Sequence, residues 1–236
     1  TSTMCAPFSC ALQQAHENGA HIVLVDPRLN NSIAFADEWV PIKPGTDMAL
    51  ILGMAHVLVN RNLYDADYVA ANSVGFDEWA AYLTECTPAW ASKITGVDAS
   101  TIERLAVELA AAAPASSIEA SWRGAFGCSY DNSGETARAL CMFNTLLGCW
   151  NQEGGALFLP SVKAGKLDAS KFPSVPKPEG KIYGASEFPL SLSGMGVATY
   201  AANAAKSGAI KGMLFYQSNM VAGYANPAFL AECVES

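Results

Sequence analysis

The sequence is short of charge. Charged residues are 15% of its 236 positions, and the basic ones are the scarcer: 14 lysines and arginines against 22 acids, for a net charge of −8. No basic cluster exists, which argues against nucleic acid as a partner. Histidine occurs three times, at 16, 21 and 56. There is no HExxH, no P-loop and no His/Asp/Ser arrangement. Nothing in the pattern nominates a nucleophile or a general base, so no self-contained active site is expected. The seven cysteines form no CxxC and no iron–sulfur spacing. Their odd number argues against a complete disulfide framework. Several fall in apolar helical patterns, where cysteine behaves as a small hydrophobe, so buried free thiols are expected. The longest apolar run, residues 48–59, is interrupted by Gly53 and His56 and is too short to span a bilayer. No signal peptide, lipidation motif, low-complexity segment or internal repeat is visible.

What is abundant is core-forming material. Apolar residues make up 51% of the chain, which places it among folded domains rather than disordered ones. The organising stretch is residues 21–47, HIVLVDPRLNNSIAFADEWVPIKPGTD. Its first five residues read as a buried strand. Asp26 ends that strand, and Pro27 prevents its continuation. A second extended piece follows at 39–42. Residues 43–47, KPGTD, then make a tight turn with Gly45 and Thr46, and Asp47 opens an apolar helix over 47–60. A strand ending in Asp and a turn opening a helix are the two parts of a nucleotide site. The carboxylate takes ribose or base donors beyond the end of the strand, and the helix start offers free N–H groups. Arg28 and Asn30, just past the strand, are placed to reach a base or a phosphate. The same pattern also describes an ordinary strand–helix unit. Asp26 is then a turn residue, Thr46 or Asp47 a plain N-cap, and Arg28 and Asn30 solvated loop polarity.

The remaining periodicity predicts helices over 7–18, 63–69, 76–83, near 90–94, over 100–112 behind a Ser100–Glu103 capping box, over 134–147 capped by Ser133, and over 194–205. His56 reads as a satisfied core histidine. Residues 117–121 read as a strand running into a glycine-rich loop that holds Arg123, Gly124, Ala125 and Ser129. Arg123 there pairs either a phosphate or an acidic neighbour. Residues 211–216 read as a strand ending at Ser218 and Asn219. Helices alternating with strands predict an α/β fold: a doubly wound, mostly parallel sheet with helices on both faces, plus part of a second α/β domain. A proline- and lysine-rich stretch after 160 marks the change, giving one domain over 1–161 and a connection with a partial second domain over 162–236.

Several phrases carry a resemblance. VDPR, then ADEWVPIKPGTDMAL, LYDADYV, TPAWASKITGV, ETARALCMFNTLLGCWNQEGGAL and FYQSNMVAGYANP stand in the order found in the molybdopterin oxidoreductases of the dimethyl sulfoxide reductase family. The last two phrases look most like the thiosulfate and polysulfide reductase catalytic subunits. The resemblance implies a Rossmann-like internal fragment of a larger catalytic subunit. In that family two molybdopterin guanine dinucleotides hold one molybdenum, and the metal moves two electrons, usually with an oxygen atom. The cofactor carries the chemistry and the protein supplies position and electrostatics.

On that resemblance Asp26, Pro27, Arg28, Asn30, Gly45, Thr46, Asp47, Arg123, Gly124, Ala125 and Ser129 border one guanosine. Asp26 and Asp47 are its two carboxylates, in roles the sequence leaves open. Ser218 and Asn219 face the second guanosine, or simply form a polar turn. Residues 1–4 would be the remnant of a phosphate loop. The metal ligand and an iron–sulfur cluster would lie upstream, outside this chain. The expected partners are the rest of the same subunit, an iron–sulfur electron-transfer subunit and a membrane anchor, at the cell envelope or in the cytoplasm. The expected substrate is a sulfur oxyanion, polysulfide or sulfoxide, and the isolated piece is expected to be inactive. A nicotinamide dehydrogenase domain would want GxGxxG after the first strand, where this chain has PRLN. A non-catalytic interaction module stays open as the alternative.

Overall fold

The structure, a computed structural model, describes residues 6–119, 131–158, 163, 165, 168, 170–173, 182–188, 197–224 and 226–235. The chain divides into two compact units, Thr1–Val162 and Lys163–Ser236.

The expected doubly wound α/β sheet is not what forms. Among the described residues there are ten α-helices, one 3-10 helix and two strands of three residues each. Strands β1 (Val23–Val25) and β2 (Glu38–Val40) pair in parallel, with Val23 opposite Glu38, Leu24 opposite Trp39 and Val25 opposite Val40. Residues 117–119 and 211–216 take no strand pairing; residues 120 and 121 lie outside the described set. The physical reason is that an apolar, β-branched run bounded by turns favours extended backbone but does not supply a neighbour. Strand status depends on another chain segment bonding its N–H and C=O groups. Parallel strands of a doubly wound sheet are also covered on both faces. Here Val25 is 36% exposed and Leu214 95% exposed.

The core of the first unit is a helix, not a sheet. α1 (Ala6–Glu17) precedes β1. A 3-10 helix (Asn31–Phe35) and β2 follow, and then α2 (Asp47–Asn60). Nine residues of α2, from Ala49 to Leu58, are buried. A helix apolar all round must be enclosed by others. α3 (Ala66–Asn72), α4 (Phe76–Leu83), α5 (Pro88–Thr95), α6 (Ala99–Ala112) and α7 (Ser133–Leu146) complete the unit, and α4, α5, α6 and α7 all pack on α2. Gly53 lets α5 approach: a Cβ there would stand 2.7 Å from the Ala91 Cβ. Leu58, Ile102 and Phe143 are fully enclosed.

Local signals explain some of the helix starts. Asp65 accepts the Tyr68 N–H at 2.9 Å and Thr87 the Trp90 N–H at 3.2 Å, each satisfying an otherwise orphaned donor. The Ser100–Glu103 box does not form. α6 begins one residue earlier, behind Asp98, and Glu103 instead pairs with Arg61 across the surface. Likewise Asn132, not Ser133, precedes α7.

The second unit holds α8 (Ala198–Lys206), the single turn α9 (Met220–Gly223) and α10 (Pro227–Glu235). Its core is small: Ala202, Met220, Leu230 and Cys233. Lys206 bonds Glu232 at 2.7 Å, tying α8 to α10 at the surface.

Among the described cysteines, Cys86 and Cys149 are buried free thiols, Cys233 is buried, and Cys10 and Cys141 are exposed. Burial pushes the Cys86 and Cys149 thiols up from their ordinary value. His56 is a half-buried core residue whose Nδ1 meets the Leu83 carbonyl at 2.7 Å, so that nitrogen carries the proton.

Candidate functional site

The two short strands bring together the two segments that the sequence singled out. Asp26 follows β1 directly. Its N–H donates to the Val40 carbonyl at 3.3 Å, extending the strand pairing by one bond. Its side chain then organises the loop. Oδ1 accepts the Arg28 N–H at 2.8 Å, and Oδ2 accepts the Asn30 amide at 2.9 Å. Asn30 also donates to the Arg28 carbonyl at 3.4 Å and accepts the Ser32 N–H at 2.8 Å, capping the 3-10 helix. This is an Asx turn with a second amide wired into it. Pro27 and Arg28 are exposed at its tip.

The turn before α2 is built differently. Gly45 takes φ +78°, a left-handed conformation natural to glycine. The Thr46 hydroxyl donates back to the Lys43 carbonyl at 2.7 Å, so it does not cap the helix. Asp47 is therefore the acid of the first turn, half-buried, with its own N–H as the one hydrogen bond that lowers its pKa. Burial outweighs that bond and raises the carboxyl above its ordinary value of 3.8, and the negative charge of Asp26 raises it further.

The pair thus divides its work in a way the sequence left open. Each oxygen of Asp26 is already engaged by its own loop. Asp47 is a partly desolvated carboxylate beside a second anion, at the start of a helix. Such a group gains most from a ligand edge that presents two adjacent N–H donors, which a carboxylate binds in bidentate fashion. Among the described residues no group of three His, Cys, Asp or Glu is placed to hold a metal ion.

Of the other nominated residues, Arg123, Gly124, Ala125 and Ser129 lie outside the described residues, as do residues 1–4. What is described is the segment leading to the first four. Asn144, 0% exposed, grips Ile118 from both sides: its Oδ1 accepts the Ile118 N–H and its Nδ2 donates to the Ile118 carbonyl, each at 2.9 Å. Ser218 and Asn219 lie in the second unit. Ser218 is exposed, and Asn219 accepts the Ala222 N–H at 3.0 Å as the cap of α9. An open groove of about 590 Å³ between α3 and α4 is lined by Tyr64, Val69, Phe76, Asp77 and Glu78, and none of the nominated residues that are described borders it.

Two residues of this region escaped the sequence reading. Trp39 donates its indole N–H to the Asp26 carbonyl at 2.9 Å. Its signal was available, since a half-buried indole needs an acceptor. Asp37 accepts the Ile22 N–H at 2.8 Å and His16 Nε2 at 3.0 Å, and these bonds, the Ile22 one first, hold its carboxyl below the usual range. The partners of Asp37 are distant in sequence and carry no local motif.

Comparison with known proteins gives a consistent family. The model described as molybdopterin oxidoreductase matches residues 6–231. The molybdopterin-containing subunit of thiosulfate reductase from Salmonella typhimurium is 39% identical over 144 residues, covering 61% of this chain and 19% of that protein. The arsenate respiratory reductase subunit of Chrysiogenes arsenatis is 36% identical over 176 residues, covering 63% and 20%. A solved structure, acetylene hydratase from Pelobacter acetylenicus, aligns with a TM-score of 0.57 at 33% identity over 61% of this chain and 19% of that one. The chain therefore spans about a fifth of the length of these relatives.

Proposed function

The chain belongs to the molybdopterin oxidoreductases of the dimethyl sulfoxide reductase family, and from that premise we propose that residues 26–47 cradle the guanosine end of one molybdopterin guanine dinucleotide. One observation carries the reading: Asp47 is a half-buried carboxylate with a raised pKa, set at the start of α2 beside Asp26. Guanine offers N1–H and N2–H₂ as paired donors, and Asp47 accepts both. Donors of that strength offset the cost that burial and the Asp26 charge place on the ionised carboxyl. Asp26 holds the loop that receives the ribose, and exposed Arg28 is the cation available to the phosphates.

In the same reading the chain is part of a larger catalytic subunit and contributes position rather than reacting groups. The bound cofactor, two guanine dinucleotides on one molybdenum, supplies two-electron chemistry. This chain's own residues bind and orient one nucleoside, with Arg123, Gly124, Ala125 and Ser129 completing that edge and Ser218 and Asn219 reaching the second nucleoside. The substrate is a small sulfur species such as a sulfur oxyanion, polysulfide or sulfoxide. Support comes from relatives named for thiosulfate and dimethyl sulfoxide reduction. The electron partner is an iron–sulfur subunit joined to a membrane anchor at the cell envelope. Among the described residues no helix is long and apolar enough to cross a membrane.

The test is Asp47→Ala in the full-length subunit purified anaerobically. Guanine nucleotide released by acid and bound molybdenum should both fall well below wild type while the thermal melt is retained. Full molybdenum and guanine content in that variant rejects the assignment.

A further inference from the structure

The loop that receives the ribose is held by a residue with no expected part in binding. We propose that Trp39 is a positioning residue for the guanosine site, acting through the backbone of Asp26. This rests on the reading of residues 26–47 as the guanosine cradle.

The argument is one of constraint. Asp26 sits where the β1–β2 pairing ends: its N–H takes the last bond, to Val40. β2 then runs into Pro41, which has no N–H to offer. The Asp26 carbonyl is satisfied from the side, by the Trp39 indole at 2.9 Å. Asp26 is therefore held at three points, two of them by β2 and one by its own loop. Its N–H is fixed by β2, its C=O by a side chain of β2, and its carboxylate by Arg28 and Asn30 of its own loop. Remove the indole bond and the peptide unit joining Asp26 to Pro27 is free to rotate, carrying the loop 26–30 with it. That loop's carboxylate is the neighbour whose charge Asp47 feels. Trp39 meets the proposed site at the backbone carbonyl of Asp26. Tryptophan suits the task because it is a donor only, on a large rigid ring that packs in one orientation. Phenylalanine preserves the ring and deletes the donor.

The experiment uses the full-length subunit carrying Trp39→Phe, Glu38→Gln or Asp47→Asn. Glu38→Gln removes the charge from a different contact of the same strand, the 2.6 Å ion pair with Arg104, and controls for strand stability. The readouts are acid-released guanine nucleotide per folded subunit and its rate of release at a fixed temperature, with thermal melts to confirm folding. Trp39→Phe is expected to release nucleotide roughly five-fold faster, the factor for one lost hydrogen bond, and Glu38→Gln to match wild type. If Asp47→Asn loses nucleotide and Trp39→Phe does not, the proposal for Trp39 falls and the cradle stands. If neither variant loses it, the cradle itself falls. Equal losses in Trp39→Phe and Glu38→Gln overturn the proposal as well, because strand stability then accounts for both.

Discussion

The two units of the chain spend similar sequence very differently. In the first, an apolar run becomes α2, and four helices enclose it until Ala55 and Leu58 have no exposed surface. In the second, the apolar run within residues 211–216 joins neither helix nor strand, with Leu214 at 95% and Tyr216 at 81% exposure. The difference is one of available partners. A helix satisfies its own backbone and needs only side-chain neighbours. An extended run needs backbone partners as well. The first unit brings its own neighbours, whereas among its described residues the second offers three helices around a four-residue core. Hydrophobicity alone thus does not decide burial; what decides it is whether the rest of the unit can close over the run.

The comparison can be broken most sharply by truncation in each unit. Phe143→Ala removes a side chain with 0% exposure from the first core and should cost about 3–5 kcal/mol in urea unfolding. A loss below about 1 kcal/mol would mean that the first unit is not packed as described.

Asp47→Asn has the smaller effect and the opposite sign. The folded carboxyl titrates above its ordinary value of 3.8 because burial disfavours the charge. The folded protein therefore binds that proton more tightly than the unfolded chain. Below pH 3.8 the group carries no penalty. As pH rises through 3.8 toward the raised folded value a destabilisation grows, and above that value it stays constant. Asparagine has no such penalty. In the cofactor-free chain the variant should be more stable than wild type at pH 7, and the gap should close below pH 3.8, as read by urea titration at several pH values. A gap of the reverse sign at pH 7 would contradict the buried-charge account. The same residue that costs the empty fold stability is the one proposed to hold guanine, a common arrangement at binding sites.

Leu214→Ser should do least. An exposed leucine contributes little, so the change should stay within about 0.5 kcal/mol, measured by the same urea unfolding. A core-sized loss would show that residues 211–216 are covered in the isolated chain.

Much of the first unit was legible beforehand. The α2 segment announced itself by being apolar on every face, α4 by its aromatic spacing, and the middle of α5 by its anchors near 90–94, while its start at Pro88 behind Thr87 was not read. The association of Asp26 with Asp47 was also legible, since one ends a strand and the other opens the next helix within a short span. The sheet was not. Residues 117–119 and 211–216 carry strand-like composition, but composition says nothing about what lies 4.7–4.9 Å away to accept the pairing. The capping box failed for a similar reason: Ser100 and Glu103 have the right spacing, yet the helix begins before them.

By itself the sequence determined α1 to α8 in outline, though not α9 or α10, together with the turn at Gly45 and the family phrases, because these depend on residues close to one another along the chain. Only the tertiary structure decided that Asp26 is consumed by its own loop while Asp47 is left half-buried and raised, and that Trp39 holds the Asp26 carbonyl. Hydrogen-bond partners and desolvation depend on which distant segments meet, and no local pattern encodes that meeting.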